Sequence, residues 1–284
     1  MQERTIIENQ TFDEERALYN LQNADVRHCT FAGPADGESI LKEARDICVA
    51  ACSFSLRYPF WHVQNFVIEQ SKIDDPARAA IWYANEGHIK HTTITGVKCL
   101  RECNNITMEH STAVSPEFGW KCNNLHIHDS TIASEYLFFD SSNVKVKNLK
   151  MQGKYSFQYM ENLEIADSFL DTKDAFWHSK NVVVKNTTVS GAYLGWFSEG
   201  LTLINCAISG TQPLCYCKDL KLIDCTMVDA DLSFEYSDVE ATILGHVDSI
   251  KNPKSGIIVV DSVGEVINED ATMVCTGQVV IRAK

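Results

Sequence analysis

The sequence lacks the signals that would assign a membrane, an export route or a nucleic-acid partner. It has no apolar run near the roughly 20 residues that a membrane-spanning helix needs. Its first twenty residues also lack the basic and then apolar order of a secretory signal. The net charge is −13, from 38 acidic and 25 basic residues, so a phosphate backbone or an anionic membrane would be repelled. We therefore expect a cytoplasmic protein that binds neither nucleic acid nor membranes.

Motifs that bind cofactors or metals are also missing. The sequence contains no GxGxxG, GxxxxGKS/T, GxSxG or HExxH motif. Eleven cysteines are present, but no two have CxxC spacing, and the nearest neighbours, Cys215 and Cys217, are two residues apart. We therefore expect reduced and mostly buried thiols, no cofactor and no metal. A metal site built from these cysteines is the less favoured alternative.

What the sequence does contain is an internal repeat of 19 residues. Seven segments begin 19 residues apart and follow one pattern, for example NNLHIHDSTI from Asn123 and KNVVVKNTTV from Lys180. The second residue of each segment, here called the repeat residue, is one of the following: Asn105, Asn124, Asn143, Asn162, Asn181, Gly200 and Asp219. Looser copies begin near Asn23, Asp46, Asn65 and Glu86, and a degenerate copy follows Asp238.

Each copy of the repeat predicts a short strand followed by a turn. In the segment from Glu161, Leu163 and Ile165 alternate with polar residues, which is typical of a strand with one buried face. Asp167 follows, and Asn and Asp tolerate the left-handed backbone of a turn. A third segment, rich in aromatic residues, closes the coil. Because one coil cannot bury its inner face alone, successive coils must stack.

The pattern predicts an all-β fold, a right-handed parallel β-helix (β-solenoid) of about eleven coils in a single domain, residues 1–284. Residues 1–45 would form an N-terminal cap and the first coil, 46–238 the regular coils, and 239–284 a C-terminal cap of strands. A capping box at Thr11–Glu14 predicts a short helix through Asn20, with a second helix over residues 36–45. Apolar residues recur with a period of two, which excludes a helical repeat. The sequence has no six-residue repeat, as a left-handed β-helix would, and no five-residue repeat, as a pentapeptide solenoid would.

Several longer strings carry a resemblance to a known family. They include FDEERALYN, GPADGESILKE, SLRYPFWH, EFGWKC, KDAFWHSKN, GTQPLCYCK and LSFEYSDVEATILGHVDSIKNP. Over nearly the whole chain the sequence resembles a family of bacterial proteins known as a domain of unknown function, number thirty-seven thirty-seven. The resemblance implies a single domain with these boundaries. The family has no established activity, so no catalytic or binding residue is carried over from it.

The third segment of each coil contains a band of aromatic and charged residues. Three residues before the repeat residue lie His62, Tyr83, Glu102, Lys121, Asp140, Tyr159 and His178. Seven residues before the repeat residue lie, among others, Tyr58, Tyr155, Asp174 and Tyr193. Five residues before it lie Phe60, Phe138, Phe157 and Phe176. Four before lie Trp61, Trp82, Trp120, Trp177 and Trp196. Alternation along a strand predicts that the first three rows face solvent and that the tryptophan row faces the interior. If the parity is opposite, the tryptophan row is exposed instead and the site lies in that register.

An exposed band of this composition is typical of a carbohydrate groove, because sugar rings stack on aromatic faces and carboxylates bond hydroxyls. The expected ligand is an oligosaccharide or another small molecule. Its predicted contacts are His62, Tyr83, Lys121, Tyr155, Tyr159, Asp174 and Tyr193. A cluster of Arg57, Tyr58, His62 and Arg101 would suit an anionic sugar. The alternative is a purely structural ladder of stacked rings, in a non-catalytic scaffold or protein-interaction solenoid whose oligomeric state stays open.

Three residues of the band are candidates for catalysis. Glu102 and Asp140 lie two coils apart, roughly 9.6 Å if the strand spacing is doubled, which suits an inverting glycosidase. His178 could act as a base oriented by Asp174. The competing interpretations are a ladder of ion pairs through Lys121 and a histidine that simply stacks among aromatic rings.

Overall fold

The computed structural model describes residues 3–283 and is an all-β parallel β-solenoid of about 15 turns. The predicted number of about eleven coils was too low, because the irregular copies near both ends also form full turns. The chain divides into two compact units, one up to Lys145 and one from Val146 onward. The right-handed winding stays a prediction.

The first unit contains fifteen strands and one short 3-10 helix, Asp75–Ala77. The strands are β1 (Thr5–Glu8), β2 (Thr11–Phe12), β3 (Gln22–Arg27), β4 (Thr30–Phe31), β5 (Arg45–Ala50), β6 (Ser53–Phe54), β7 (Phe60–Trp61), β8 (Gln64–Glu69), β9 (Lys72–Ile73), β10 (Ile81–Trp82), β11 (Asn85–Lys90), β12 (Thr93–Thr95), β13 (Asn104–Glu109), β14 (Thr112–Val114) and β15 (Asn123–Ser134).

The next strand, β16 (Ser142–Gly153), contains the division between the units. The second unit continues with β17 (Glu161–Ala166), β18 (Phe169–Asp171), β19 (Lys180–Lys185), β20 (Thr188–Ser190), β21 (Glu199–Ile204), β22 (Ala207–Ser209), β23 (Leu220–Val228), β24 (Asp238–Lys251), β25 (Ser255–Ile267) and β26 (Gln278–Ile281).

The strand register follows the 19-residue repeat. In the first unit β13 pairs in parallel with β15, so that Met108 lies beside Ile127. In the second unit β17 pairs with β19, so that Ile165 lies beside Val184. The predicted interior positions are confirmed as buried: Ile127, Val146, Ile165, Val184 and Leu203. The apolar-x-apolar pattern therefore locates the core correctly.

The polar repeat residues hydrogen-bond from coil to coil at the corners. Asn124 donates its side-chain amide to Asn105 at 2.7 Å in the first unit, and Asn181 donates to Asn162 at 3.2 Å in the second. Asn143 donates instead to Asn123 at 2.7 Å. All the repeat asparagines have a positive φ, the left-handed conformation that Asn adopts at low cost.

A second kind of ladder, made of small hydroxyl and thiol side chains, lines the inside of the corners. Ser111 accepts the backbone N–H of Thr92 at 3.0 Å and donates to the carbonyl of Glu109 at 2.7 Å. Cys52 occupies the equivalent position of another coil, where its thiol accepts the backbone N–H of Cys29 at 3.3 Å. Nine of the eleven cysteines are buried. Most of these thiols therefore substitute for serine in the interior.

The predicted N-terminal helices are not formed, and residues 3–283 contain no α-helix. Thr11–Phe12 is instead a strand, paired with Thr30–Phe31. The ring of Phe12 lies 5.4 Å from Phe31, and Phe31 lies 4.5 Å from Phe54. Burying an aromatic rung outweighs the weak propensity of one capping box. At the other end the predicted strands are present, but they continue the parallel stack as further turns.

Truncating an interior rung should destabilise the protein strongly. We expect Ile165→Ala to lower the free energy of unfolding by about 2–5 kcal/mol, because it removes a buried aliphatic side chain and leaves a cavity. The measurement is the urea midpoint at constant m-value. The exposed Lys185→Ala, on strand β19, is the control. Equal midpoints for both variants would mean that the inward register is wrong.

The thiols should be protected by burial. Desolvation raises the pKa of Cys99 and Cys217 to about 11 and that of Cys215 to about 12. We expect at most two thiols, Cys48 and Cys275, to react with a thiol reagent in the native protein.

All eleven should react in denaturant without reductant. Fewer than eleven would indicate a disulfide, for which Cys206 and Cys225 are the first candidates. These two thiols lie at equivalent positions of neighbouring coils, each directly before the paired residues Ala207 and Thr226.

Candidate functional site

The aromatic third segment is a chain of left-handed bends and not a regular strand. In the second unit, Tyr155, Phe157 and Tyr159 have φ of 53°, 60° and 57°. Positive φ at every second residue curls the backbone. Successive side chains therefore do not point alternately inward and outward, as they would along an extended strand. This curl decides which rows of the band reach solvent.

Two of the predicted rows are corrected by the structure. Phe60, Phe138, Phe157 and Phe176, predicted to face solvent, are buried in the core. The tryptophan row, predicted to face the interior, is half-buried at the outer surface. The physical reason is that the segment is not extended: φ is positive at Phe138, Phe157 and Phe176, and at Tyr58 and His62 on either side of Phe60.

The half-buried row fastens neighbouring coils together. Three of its tryptophans, and Gln158 at the same position of another coil, donate a side-chain N–H to the backbone carbonyl 16 residues further on: Trp120 to Tyr136 at 2.7 Å, Gln158 to Asp174 at 2.8 Å, Trp177 to Tyr193 at 2.6 Å and Trp196 to Gln212 at 2.8 Å. These indole groups are already satisfied, so they are not available to a ligand.

In the first unit, the row three residues before the repeat residue is at the surface as predicted. His62, Tyr83, Lys121 and Asp140 are exposed, and Glu102 is half-buried. His62 and Tyr83 stack with their ring centres 5.0 Å apart.

The charged members of this row do not pair with one another. Glu102 lies 3.3 Å from Arg101. In the part of the chain that the structure describes, no ion pair joins Glu102 to Lys121 or Lys121 to Asp140. The roles proposed for Glu102 and Asp140 in catalysis stay predictions.

In the second unit the same row is a continuous stack of rings. Tyr159, His178, Phe197 and Tyr216 follow one another with ring centres 5.0, 5.1 and 4.9 Å apart and nearly parallel planes. Each inner ring has both faces covered by its neighbours. A sugar could reach ring edges there but not ring faces, so this stack favours the structural interpretation.

Asp174 is not part of an exposed surface, contrary to the prediction, because it is only 6% exposed. Burial raises the pKa of its carboxyl, although Lys173 at 3.9 Å acts in the opposite direction. The half-buried rings of Tyr155 and Tyr193 each lie beneath a lysine ammonium. No hydrogen bond or ion pair joins Asp174 to His178 within residues 3–283.

The first unit has a cleft of about 220 Å³ beside the band. Tyr58 and Trp82 form its aromatic walls, with ring centres 6.3 Å apart and planes at 50°. Arg78, Lys98 and Arg101 also line it. The volume is below the roughly 300–1,000 Å³ of pockets for drug-sized ligands, so it fits a molecule of about one ring.

The cleft lies where the repeat is irregular. Asn65 and Glu86 are 21 residues apart, and the additional residues contribute to the 3-10 turn Asp75–Ala77 and the bend at Arg78. The indole N–H groups of Trp82 and of Trp61 are buried and have no hydrogen-bond acceptor among the described residues, unlike that of Trp120. The indole N–H of Trp82 lies near the Tyr83 hydroxyl without a hydrogen bond of normal geometry.

Two of the arginines at or near the cleft already have carboxylate partners. Arg101 is paired with Glu102 at 3.3 Å and with Glu117 at 3.5 Å. Arg57, the other arginine expected here, is paired with Asp36 at 2.8 Å. Neither the fold nor the 19-residue pattern indicated Arg78 and Lys98. The one available signal was the longer spacing before Glu86, since insertions in repeats form loops that often bind ligands.

The second unit has a larger but shallower groove of about 600 Å³. Strands β23, β24 and β25 form it, with Ile223 and Ile257 among its lining residues. Its lining has no aromatic ring. The cleft of the first unit is therefore the better candidate site.

The chain belongs to the family described as "Protein of unknown function (DUF3737)", whose model matches residues 5–281. The family resemblance noted in the sequence is thereby confirmed. No curated protein is similar enough to count as a relative. Among residues 3–283 no helix has the length and apolar content required to cross a bilayer.

Solved structures resemble the chain only distantly. The surface adhesin PfbA of Streptococcus pneumoniae is 12% identical, with a TM-score of 0.42, covering 90% of this chain and 82% of the adhesin. The A-module of the mannuronan C-5 epimerase AlgE6 of Azotobacter vinelandii is 10% identical, with a TM-score of 0.35, covering 98% and 89%. A catalytic domain of a GH87 α-1,3-glucanase is 9% identical, with a TM-score of 0.24, covering 99% and 64%. Likenesses at this level carry no argument about function.

The two tryptophan environments should respond differently to loss of the indole N–H. Trp120→Phe leaves the Tyr136 carbonyl without its partner, whereas Trp82→Phe removes a donor that has none. We expect Trp120→Phe to cost about 1 kcal/mol more than Trp82→Phe in the free energy of unfolding. Both variants lose the same ring volume, so the difference in urea midpoints isolates the hydrogen bond. Equal losses would show that Trp82 has an acceptor.

Proposed function

We propose that the protein binds a carbohydrate of about one sugar ring in the cleft of the first unit, between Tyr58 and Trp82. The observation that carries the proposal is the indole of Trp82: its ring lines the cleft, and its buried N–H, like that of Trp61, has no acceptor in the described chain. A buried donor without a partner costs about 1–3 kcal/mol unless something accepts from it. A ligand hydroxyl or carboxylate oxygen would supply that acceptor.

The surroundings of this donor support a sugar. Two aromatic rings at 6.3 Å provide apolar faces for the C–H side of a ring. Three cationic side chains provide further donors for its oxygen atoms. A single-ring ligand also agrees with the cytoplasmic location that we propose from the sequence. The proposal is limited to binding, because Glu102 and Glu117 are both held by Arg101.

A second candidate function, a non-catalytic scaffold, is favoured by the ring stack of the second unit. Rings such as His178 and Phe197 stack face to face on one another, and this stacking stabilises neighbouring coils without any ligand. The two functions are compatible if the second unit is structural and the first unit holds the site.

The proposal is tested by isothermal titration calorimetry of the protein with a panel of neutral and acidic monosaccharides. Trp82→Phe keeps a ring and the fold but removes the donor, so the affinity should fall about 5- to 10-fold. Tyr58→Ala should weaken binding as well. Lys185→Ala, on the exposed face of β19, should leave the affinity unchanged.

The same panel with Tyr155→Ala separates the cleft from the band predicted in the second unit. Loss of binding with Tyr155→Ala but not with Trp82→Phe would move the site to that band. Absence of binding by every sugar would reject the proposal and leave the scaffold.

A further inference from the structure

The cleft contains two cations whose charge is not used by the protein. Arg78 and Lys98 line it, and neither makes an ion pair within residues 3–283. The third cation, Arg101, already has the carboxylates of Glu102 and Glu117. In a chain with 38 acidic and 25 basic residues, two unpaired cations in one cleft are not the result of a general excess of positive charge.

The backbone holds Arg78 in an uncommon conformation. Its φ is 54° and its ψ is −118°, a region that glycine occupies readily and that a residue with a Cβ avoids. Strain of this kind costs on the order of a few times thermal energy and is found mainly where function retains the side chain. Glycine would be cheaper at position 78, yet the position carries a guanidinium.

The donor and the cations lie around the same space. Trp82, Arg78 and Lys98 all line the cleft, and the unpaired N–H belongs to the indole ring that forms one of its walls. An anionic group has several acceptor oxygens, and it could take hydrogen bonds from all three side chains at once. A neutral sugar would accept from the indole but would not use the two charges, which are exposed to solvent in the free protein.

We infer that the ligand of this cleft is an anionic sugar, with its carboxylate or phosphate held by Arg78, Lys98 and the indole N–H of Trp82. This inference rests on the proposed function and specifies its ligand class. The ring of the sugar lies against Tyr58 and Trp82, and its acidic group lies toward Arg78 and Lys98. The two cations are then the residues that determine specificity.

The test compares glucose, glucuronate and glucose 6-phosphate on the full-length protein by calorimetry. At least one acidic sugar should bind about tenfold or more tightly than glucose. Its affinity should fall as NaCl is raised from about 50 to about 500 mM, because salt screens exposed charges. The affinity of glucose should not depend on salt. Whichever acidic sugar binds more tightly identifies the acidic group.

Two variants test the cations directly. Arg78→Gly removes the charge and also relieves the backbone, so its urea midpoint should equal or exceed that of the unmodified protein. Lys98→Met keeps the length of the side chain without the charge. Each should weaken the acidic sugar about 10- to 100-fold and change the affinity of glucose less than twofold. Lys185→Ala is the matched control for the loss of one positive charge.

The outcomes distinguish a failure of the inference about charge from a failure of the proposed function. If glucose and the acidic sugars bind equally, the inference about charge is wrong and the proposed function stands. Equal weakening of glucose and the acidic sugar by both variants also overturns it. If no sugar binds, the proposed function itself fails. Should Arg78→Gly not fold, Lys98→Met alone decides the question.

Discussion

The structure depends on parallel backbone pairing between successive coils, combined with corners at which small polar side chains accept inward backbone N–H groups. At each corner a left-handed residue bends the chain and turns an N–H inward. A hydroxyl or thiol of the following coil accepts it, as Ser111 accepts from Thr92 and Thr187 from Ser168. A buried N–H without such a partner would cost about 1–3 kcal/mol. This requirement explains why small side chains recur and why so many of them are cysteine.

Regular coils leave little for a ligand to bind. Where the spacing is 19 residues, Trp177 and Trp196 donate to neighbouring carbonyls, and rings such as His178 are covered on both faces. The cleft of the first unit occurs where the repeat is broken. There the turn at Asp75–Ala77 changes the course of the chain, and Trp82 keeps a donor that the fold does not use. The candidate site is therefore a consequence of an irregularity.

The sequence located the core accurately but misjudged the band, for one reason. Alternation of inside and outside holds for extended backbone, which is why Ile127 and Val184 are buried as predicted. Phe157 and Phe176 break the rule because the segment around them is not extended: φ is positive at every second residue of 155–159 and 174–178. A pattern of residue types does not reveal that, since phenylalanine seldom adopts this conformation. The rows three and five residues before the repeat residue therefore separate, one exposed and one buried.

The sequence by itself determined the solenoid, its register and the asparagine corners, because a fixed 19-residue period can satisfy a buried face in only one way. Tertiary structure decided the ends and the site. The capping box at Thr11–Glu14 gave way to a strand because Phe12 stacks on Phe31, a contact that local sequence does not contain. Arg78 and Lys98 are twenty residues apart in sequence, and only the stacking of two irregular coils brings them to one cleft.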